Sequence, residues 1–152
     1  MNEFKCILLP LDGSKLAEKA LPYAKALAQK FEAKLILVRV LPPVVVIPGQ
    51  DEKISYRSEL LQKLEAEARA YLSNIQDGLG ELGLEAQTEL LEGGPVAEMI
   101  LELACDQVVD LIVMSTHGNS GSNRWVYGSV ANKVLQGASC PVFLVRAIET
   151  ER

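Results

Sequence analysis

The sequence predicts an α/β fold: a parallel sheet of five strands with helices on both faces. Three observations predict it. Short apolar runs rich in β-branched residues recur five times, at residues 5–11 (KCILLPL), 34–41 (KLILVRVL), 84–91, 110–114 and 141–146 (PVFLVR). The segments between them carry apolar residues at helical spacing. Strands that alternate with helices need crossover connections, and these place the helices over the faces of a parallel sheet.

The elements follow in order. After the first strand, Ser14 is suited to cap a helix reaching Phe31, with Ala17, Ala20, Leu21, Ala24, Leu27, Ala28 and Phe31 on one side. Pro22 should bend that helix or loosen one turn. Residues 42–55 hold Pro42, Pro43, Pro48 and Gly49 and read as a long loop, a length that is often functional in a compact domain. Residues 56–78 form the longest helix, with Leu61, Leu64, Ala68, Leu72, Ile75 and Leu79 as its stripe. The third strand, at 84–91, alternates in part and so belongs near a sheet edge. Gly93-Gly94-Pro95 opens the next helix, with Pro95 suited to its first turn. A fourth strand, a helix from Ser129 to Gln136 closed by Gly137, and a fifth strand complete the order β-α-β-α-β-α-β-α-β. Residues 1–152 read as one domain, with its sheet and helices between about 4 and 147.

Composition narrows the function. Of 152 residues, 49% are hydrophobic and 23% charged, the balance of a water-soluble globular chain. The formal net charge of −5, with no basic tract, argues against general nucleic-acid binding. No apolar run approaches the ~20 residues needed to span a bilayer, so no membrane segment is expected. Cys6, Cys105 and Cys140 lie far apart in apolar stretches, as reduced buried thiols do, and the first residues show no secretory pattern. A cytoplasmic location is therefore expected.

The richest stretch is 111–135, LIVMSTHGNSGSNRWVYGSVANKVL. A buried strand breaks into Ser115-Thr116-His117-Gly118; nine residues later Gly128-Ser129 opens an amphipathic helix. Glycines admit a ligand close to the backbone, and the first N–H groups of a helix are free to bind an anion. The phosphate signature G-x-x-x-x-G-K-[ST] is absent, and DGS follows the first strand where a dinucleotide site would carry G-x-G-x-x-G. In parallel sheets, ligands bind beyond the carboxyl ends of the strands, where the strand order reverses. Three segments compete for that edge: Asp12-Gly13-Ser14, the residues after Leu41, and 115–128.

These motifs, with PLDGS, ALPYA, STHG, GSVANKVL and CPVFLVR, resemble the universal stress protein family in its ATP-binding branch. The resemblance spans nearly the whole chain. It implies a Rossmann-like three-layer α/β sandwich with strand order 3-2-1-4-5. It also implies a nucleotide motif G-x-x-G, nine residues, G-[ST], which Gly118, Gly128 and Ser129 match and Ser115 departs from. Serine tolerates the close approach only if its φ is negative.

The roles implied are as follows. Asp12 contacts the adenosine, with Pro10 and Leu11 lining the base pocket; Asp12 in a turn beside Ser14 also suits a plain capping role. Val40, Met114 and Ser115 offer backbone groups, though Val40 and Met114 read equally as core residues. Gly118, Gly128, Ser129, Val130 and Ala131 surround the phosphates; an ordinary N-cap serine would look the same at 129. Arg124 is a candidate for offsetting phosphate charge, or a solvated surface residue. Trp125 reads as packing rather than stacking on the base.

The resemblance implies ATP, or ADP or AMP, as the ligand, with Mg²⁺ carried by the nucleotide and no metal site built from protein alone. It also implies a homodimer paired through the edge strand that opens on Pro141 and closes on Arg146. His117 is the only histidine and nothing in sequence pairs with it. No catalytic residue is assigned, and a regulatory nucleotide-binding module of the stress response is expected rather than an efficient enzyme. The alternatives are a nucleotide-free dimeric scaffold of the same fold, favoured only by Ser115, and a slow ATPase.

Overall fold

A computed structural model describes residues 3–43, 53–117 and 128–147. Its elements are β1 (Cys6–Pro10), α1 (Lys15–Glu18), α2 (Leu21–Phe31), β2 (Lys34–Leu41), α3 (Lys53–Glu81), β3 (Ala86–Glu92), α4 (Val96–Asp106), β4 (Leu111–Ser115), α5 (Ser129–Gly137) and β5 (Val142–Val145). The five strands form one parallel sheet in the order β3-β2-β1-β4-β5. The chain winds outward from β1 through β2 to β3, then returns to the other side of β1 for β4 and β5. The strand order thus reverses between β1 and β4, and the carboxyl ends of those two strands frame the crevice where such sheets take ligands.

Strand alternation divides the core into two layers. Ile7, Leu9, Leu35, Leu37, Leu111 and Val113 pack with Ala17, Ala24 and Ala28 of α1 and α2 and with Leu72 and Leu79 of α3. Leu8, Ile36, Val38, Ile112 and Met114 pack on the other face with Ala97 and Ile100 of α4 and with Ala131 and Val134 of α5. The central strands are covered on both faces, which is why their sequences are continuous apolar runs rather than alternating ones. β3, whose sequence alternates in part, is an edge strand and β5 is the other, both as expected. Phe143 of β5 is 39% exposed, and its ring centroid lies 5.8 Å from that of Tyr23 on α2.

The structure corrects the element bounds in two places. The helix expected from Ser14 to Phe31 is two helices. Pro22 has no N–H to give to a carbonyl one turn back, so the chain tightens before it: Lys19 N–H donates to the Leu16 carbonyl and Ala20 N–H to the Ala17 carbonyl, each at 3.2 Å. Pro22 then sits in the first turn of α2, where its missing donor costs nothing. The long helix begins at Lys53 instead of 56 and runs to Glu81, through Gly78 and Gly80, around which nothing lies close. Of the expected 42–55 loop, residues 44–52 lie outside the described residues.

The cysteine reading holds only in part. Cys6 is buried and Cys140 half-buried, but Cys105 is exposed at the end of α4; all three are free thiols.

One turn stores strain. Val108, between α4 and β4, has φ 51° and is 77% exposed. A left-handed conformation costs an L-residue about 1–2 kcal/mol, and a β-branched side chain suits it least. Val108→Gly is therefore expected to raise the free energy of unfolding by about 1 kcal/mol, read by chemical denaturation; a loss of stability would contradict the strain.

Candidate functional site

The site is built at the carboxyl ends of β1, β2 and β4. After β1, the Leu11 N–H donates to the Val38 carbonyl at 2.8 Å, extending the sheet by one rung. The chain then turns. Asp12 Oδ1 accepts from the Ser14 N–H at 2.9 Å and from the Ser14 hydroxyl at 2.5 Å. Ser14 Oγ in turn accepts the Ala17 N–H at 3.1 Å and caps α1. The expected capping role of Asp12 and Ser14 is thus present. Gly13 between them has φ +88°, a conformation that L side chains rarely adopt. Pro10 and Leu11 are buried at this strand end.

At the end of β2, Val40 is a core residue of the α4–α5 layer, so only its backbone is available at the edge. Its neighbour Arg39 faces the opposite side, half-buried. Its guanidinium carbon lies 5.4 Å from the centre of the Tyr71 ring of α3, a cation–π distance. The Tyr71 hydroxyl oxygen is buried and has no hydrogen-bond partner among the described residues, although Glu18 and Asp12 are near enough to be felt as charges. Burial, then Glu18 and Asp12, pushes this phenol above its ordinary value, while Arg39 pulls it back. The sign is clear: the folded state holds the phenolic proton more tightly than the unfolded chain does. Stability is then full below pH ~10 and declines above it, by at most about 1.4 kcal/mol per pH unit. Tyr71→Phe should flatten that alkaline decline, as measured by urea unfolding between pH 8 and 11; an unchanged slope would refute it.

At the end of β4, Met114, Ser115 and Thr116 are all buried. The Met114 side chain belongs to the core. Ser115 does not have positive φ, so serine stands where the motif has glycine without backbone strain. Its hydroxyl donates to the His117 carbonyl and accepts the His117 N–H at 3.3 Å.

Thr116 is a junction. Its N–H donates to the Val145 carbonyl of β5 at 2.9 Å, and its carbonyl accepts the Gly128 N–H at 2.8 Å. Its hydroxyl oxygen accepts the Ala147 N–H at 3.2 Å and lies 3.1 Å from His117 Nδ1. One buried residue thus ties the strand end, the start of α5 and the chain beyond β5.

Gly128, at φ −56° and ψ 156°, is the N-cap of α5, with no side-chain capping bond. This corrects the reading of Ser129 as an ordinary N-cap: it is the first helical residue, exposed, and spends no hydroxyl on the cap. A Cβ on Gly128 would lie 3.1 Å from the Thr116 carbonyl oxygen, so only a bare backbone sits comfortably this close. The N–H groups of Ser129, Val130 and Ala131 have no intrahelical carbonyl to bond, and the positive end of the helix dipole points the same way.

The structure therefore brings together Pro10, Leu11, Asp12, the backbone of Val40, Met114, Ser115, Gly128, Ser129, Val130 and Ala131 along one edge. Gly118 and Arg124, and Trp125 with them, lie outside the described residues. Thr116, Arg39 and Tyr71 were missed by sequence reasoning. Thr116 had one faint signal, a polar residue at the end of an apolar strand; nothing in sequence joins Arg39 to Tyr71. Among the described residues, no three His, Cys, Asp or Glu side chains cluster as metal ligands would, and no helix is long and apolar enough to cross a membrane.

The model of the universal stress protein family matches residues 3–146. The chain belongs to the universal stress protein family. Relatives agree. It is 38% identical to the universal stress protein MJ0531 of Methanocaldococcus jannaschii, over 99% of this chain and 86% of that one. It is also 38% identical to a universal stress protein of Thermus aquaticus, over 94% and 99% of the two chains. The solved structure of M. jannaschii MJ0577 superposes with a TM-score of 0.85 at 30% identity, covering 98% of this chain and all of that one. Two more distant members share the fold and were solved with nucleotides: a universal stress protein of Archaeoglobus fulgidus in complex with dAMP (TM-score 0.64, 24% identity, 95% and 98% covered) and one of Arabidopsis thaliana with AMP bound (TM-score 0.67, 15% identity, 95% and 93% covered).

Proposed function

We propose that this universal stress protein binds an adenine nucleotide, ATP in the first place and ADP or AMP as related ligands, and works as a regulatory module rather than an efficient enzyme. The observation that carries the reading is the start of α5. Its N–H groups at 129–131 have no carbonyl to bond within the helix and lie beside the switch point of the sheet, held there by the short bond between Gly128 and Thr116. Asp12, at the other end of the crevice, suits the nucleoside. Relatives solved with AMP and dAMP support the ligand class. Mg²⁺ would arrive with the phosphates of ATP.

The homodimer belongs to the same proposal. β5 is a short apolar strand whose outer edge pairs with no other strand among the described residues, and pairing with a second copy would satisfy it. The module would act in the cytoplasm, shifting between states or partners through different affinities with and without nucleotide.

Two measurements test the reading. Mass spectrometry of small molecules released from freshly purified native protein should find an adenine nucleotide. Equilibrium titration with ATP, ADP and AMP should give a Kd below about 1 mM, or ~4 kcal/mol of binding; no binding at that level would reject it. Steady-state phosphate release above background that is lost in Asp12→Ala or Ser129→Ala would move the protein to the slow ATPases instead. The nucleotide-free scaffold rests on Ser115 alone, and a serine without positive φ does not argue for it.

A further inference from the structure

The loop after β1 rests on a side chain from the neighbouring strand. A Cβ built on Gly13 would stand 3.1 Å from Arg39 Nη1, 3.2 Å from Cζ and 3.2 Å from Nη2. Three atoms of one planar group at nearly one distance means that the guanidinium faces Gly13 flat instead of pointing an edge at it. The same group lies in cation–π contact with Tyr71. Its mount is stiff: Arg39 is held in register with β3, opposite Leu90, and its neighbours Val38 and Val40 are buried. Tyr71 is carried by α3 next to the buried Leu72. A flat plate fixed in the sheet therefore supports a glycine in a conformation open to few residues, and that glycine joins Asp12 to Ser14.

We propose that Arg39 is the positioning residue of the 12–14 loop: its guanidinium face sets where the Asp12 carboxylate stands. Building on the proposed nucleotide site, it thereby governs how tightly the nucleoside half of the ligand is held. The shape of the group matters as much as its charge. Lysine would keep the positive charge on β2 near Tyr71, but it offers a compact ammonium with no face to lay against Gly13. Without the plate, the turn keeps its bonds from Ser14 to Asp12 but loses the surface that stops Gly13 from relaxing, and glycine has the widest freedom to do so.

The test separates positioning from general support. Arg39→Lys and Arg39→Met are made in the full chain, and amide hydrogen exchange is followed by NMR. The Ser14 amide, held by Asp12 Oδ1, should exchange at least ten-fold faster in both variants, while amides in β1 and β4 keep their protection. Unchanged exchange at Ser14 overturns the proposal, as does an equal loss of protection throughout the sheet. AMP affinity gives the second readout. If Asp12→Asn weakens AMP about ten-fold in the wild-type background, it should do so less than two-fold beside Arg39→Lys, because the carboxylate is already misplaced. A full ten-fold loss in both backgrounds overturns the coupling. If wild-type protein binds no AMP, the nucleotide reading fails, and the Ser14 exchange still decides whether Arg39 positions the loop.

Discussion

Gly128→Val is expected to lower adenine-nucleotide affinity at least 100-fold, about 2.7 kcal/mol, and to cost about 1–3 kcal/mol of stability. The backbone at Gly128 is extended and open to valine, so the effect is not conformational. It is one of space. The first added carbon already meets the Thr116 carbonyl oxygen at 3.1 Å, and the two methyl groups of valine must go further into the same crevice. To make room, the start of α5 has to swing away from the end of β4, breaking the bond between the Gly128 N–H and the Thr116 carbonyl. The first N–H groups of α5, at 129–131, then move away from the switch of the sheet. Calorimetric titration with ATP, beside a urea unfolding curve, reads both quantities. Folded Gly128→Val that still binds with wild-type affinity would show that the phosphates lie elsewhere.

Thr116→Val should cost about 1–3 kcal/mol, although the two side chains have the same shape. Thr116 is 4% exposed. Valine removes the oxygen that accepts the Ala147 N–H and meets His117 Nδ1, and Ala147 is itself 6% exposed. A buried donor left without an acceptor costs more than the bond contributed. The backbone bonds of Thr116 to Val145 and Gly128 survive the substitution, so the site should keep its outline. Thr116→Ser, which retains the hydroxyl, should recover most of the loss. Chemical denaturation measures the change, and amide exchange at Ala147 locates it; wild-type stability in Thr116→Val would mean that the hydroxyl contributes nothing.

These two residues mark the limit of sequence reading. Gly128 was legible because its meaning is local: glycine before Ser-Val-Ala-Asn at a fixed distance from a strand end. Thr116 was not, because its worth lies in partners 12 and 31 residues away. The same divide runs through the fold. The buried strands β1, β2 and β4 announce themselves in runs such as CILLP, KLILVRVL and LIVMS, since burial on both faces leaves no room for polar residues. The split between α1 and α2 was less visible. Pro22 signals a disturbance, but whether the helix bends or restarts depends on how the alanines at 17, 20, 24 and 28 dock on the sheet. Gly78 misled in the other direction: a glycine with a weak propensity did not end α3, because Leu79 beyond it is fully buried and holds the last turn in place.

By itself, then, the chain determined its α/β class, its five strands and, through motif resemblance, the family and the order 3-2-1-4-5; it also pointed to 115–129 as the candidate anion site. The class and the strands rest on periodicity, composition and spacing, which are properties of neighbouring residues; the family and the strand order rest on the resemblance of short motifs. Only the tertiary structure decided that Ser129 opens α5 without capping it, that Thr116 ties α5 to β5, and that the Arg39 guanidinium lies flat on Gly13. Those arrangements come from parallel strands bringing distant segments to one edge, where hydrogen bonds and close packing between them follow from the register of the sheet and leave no pattern along the chain.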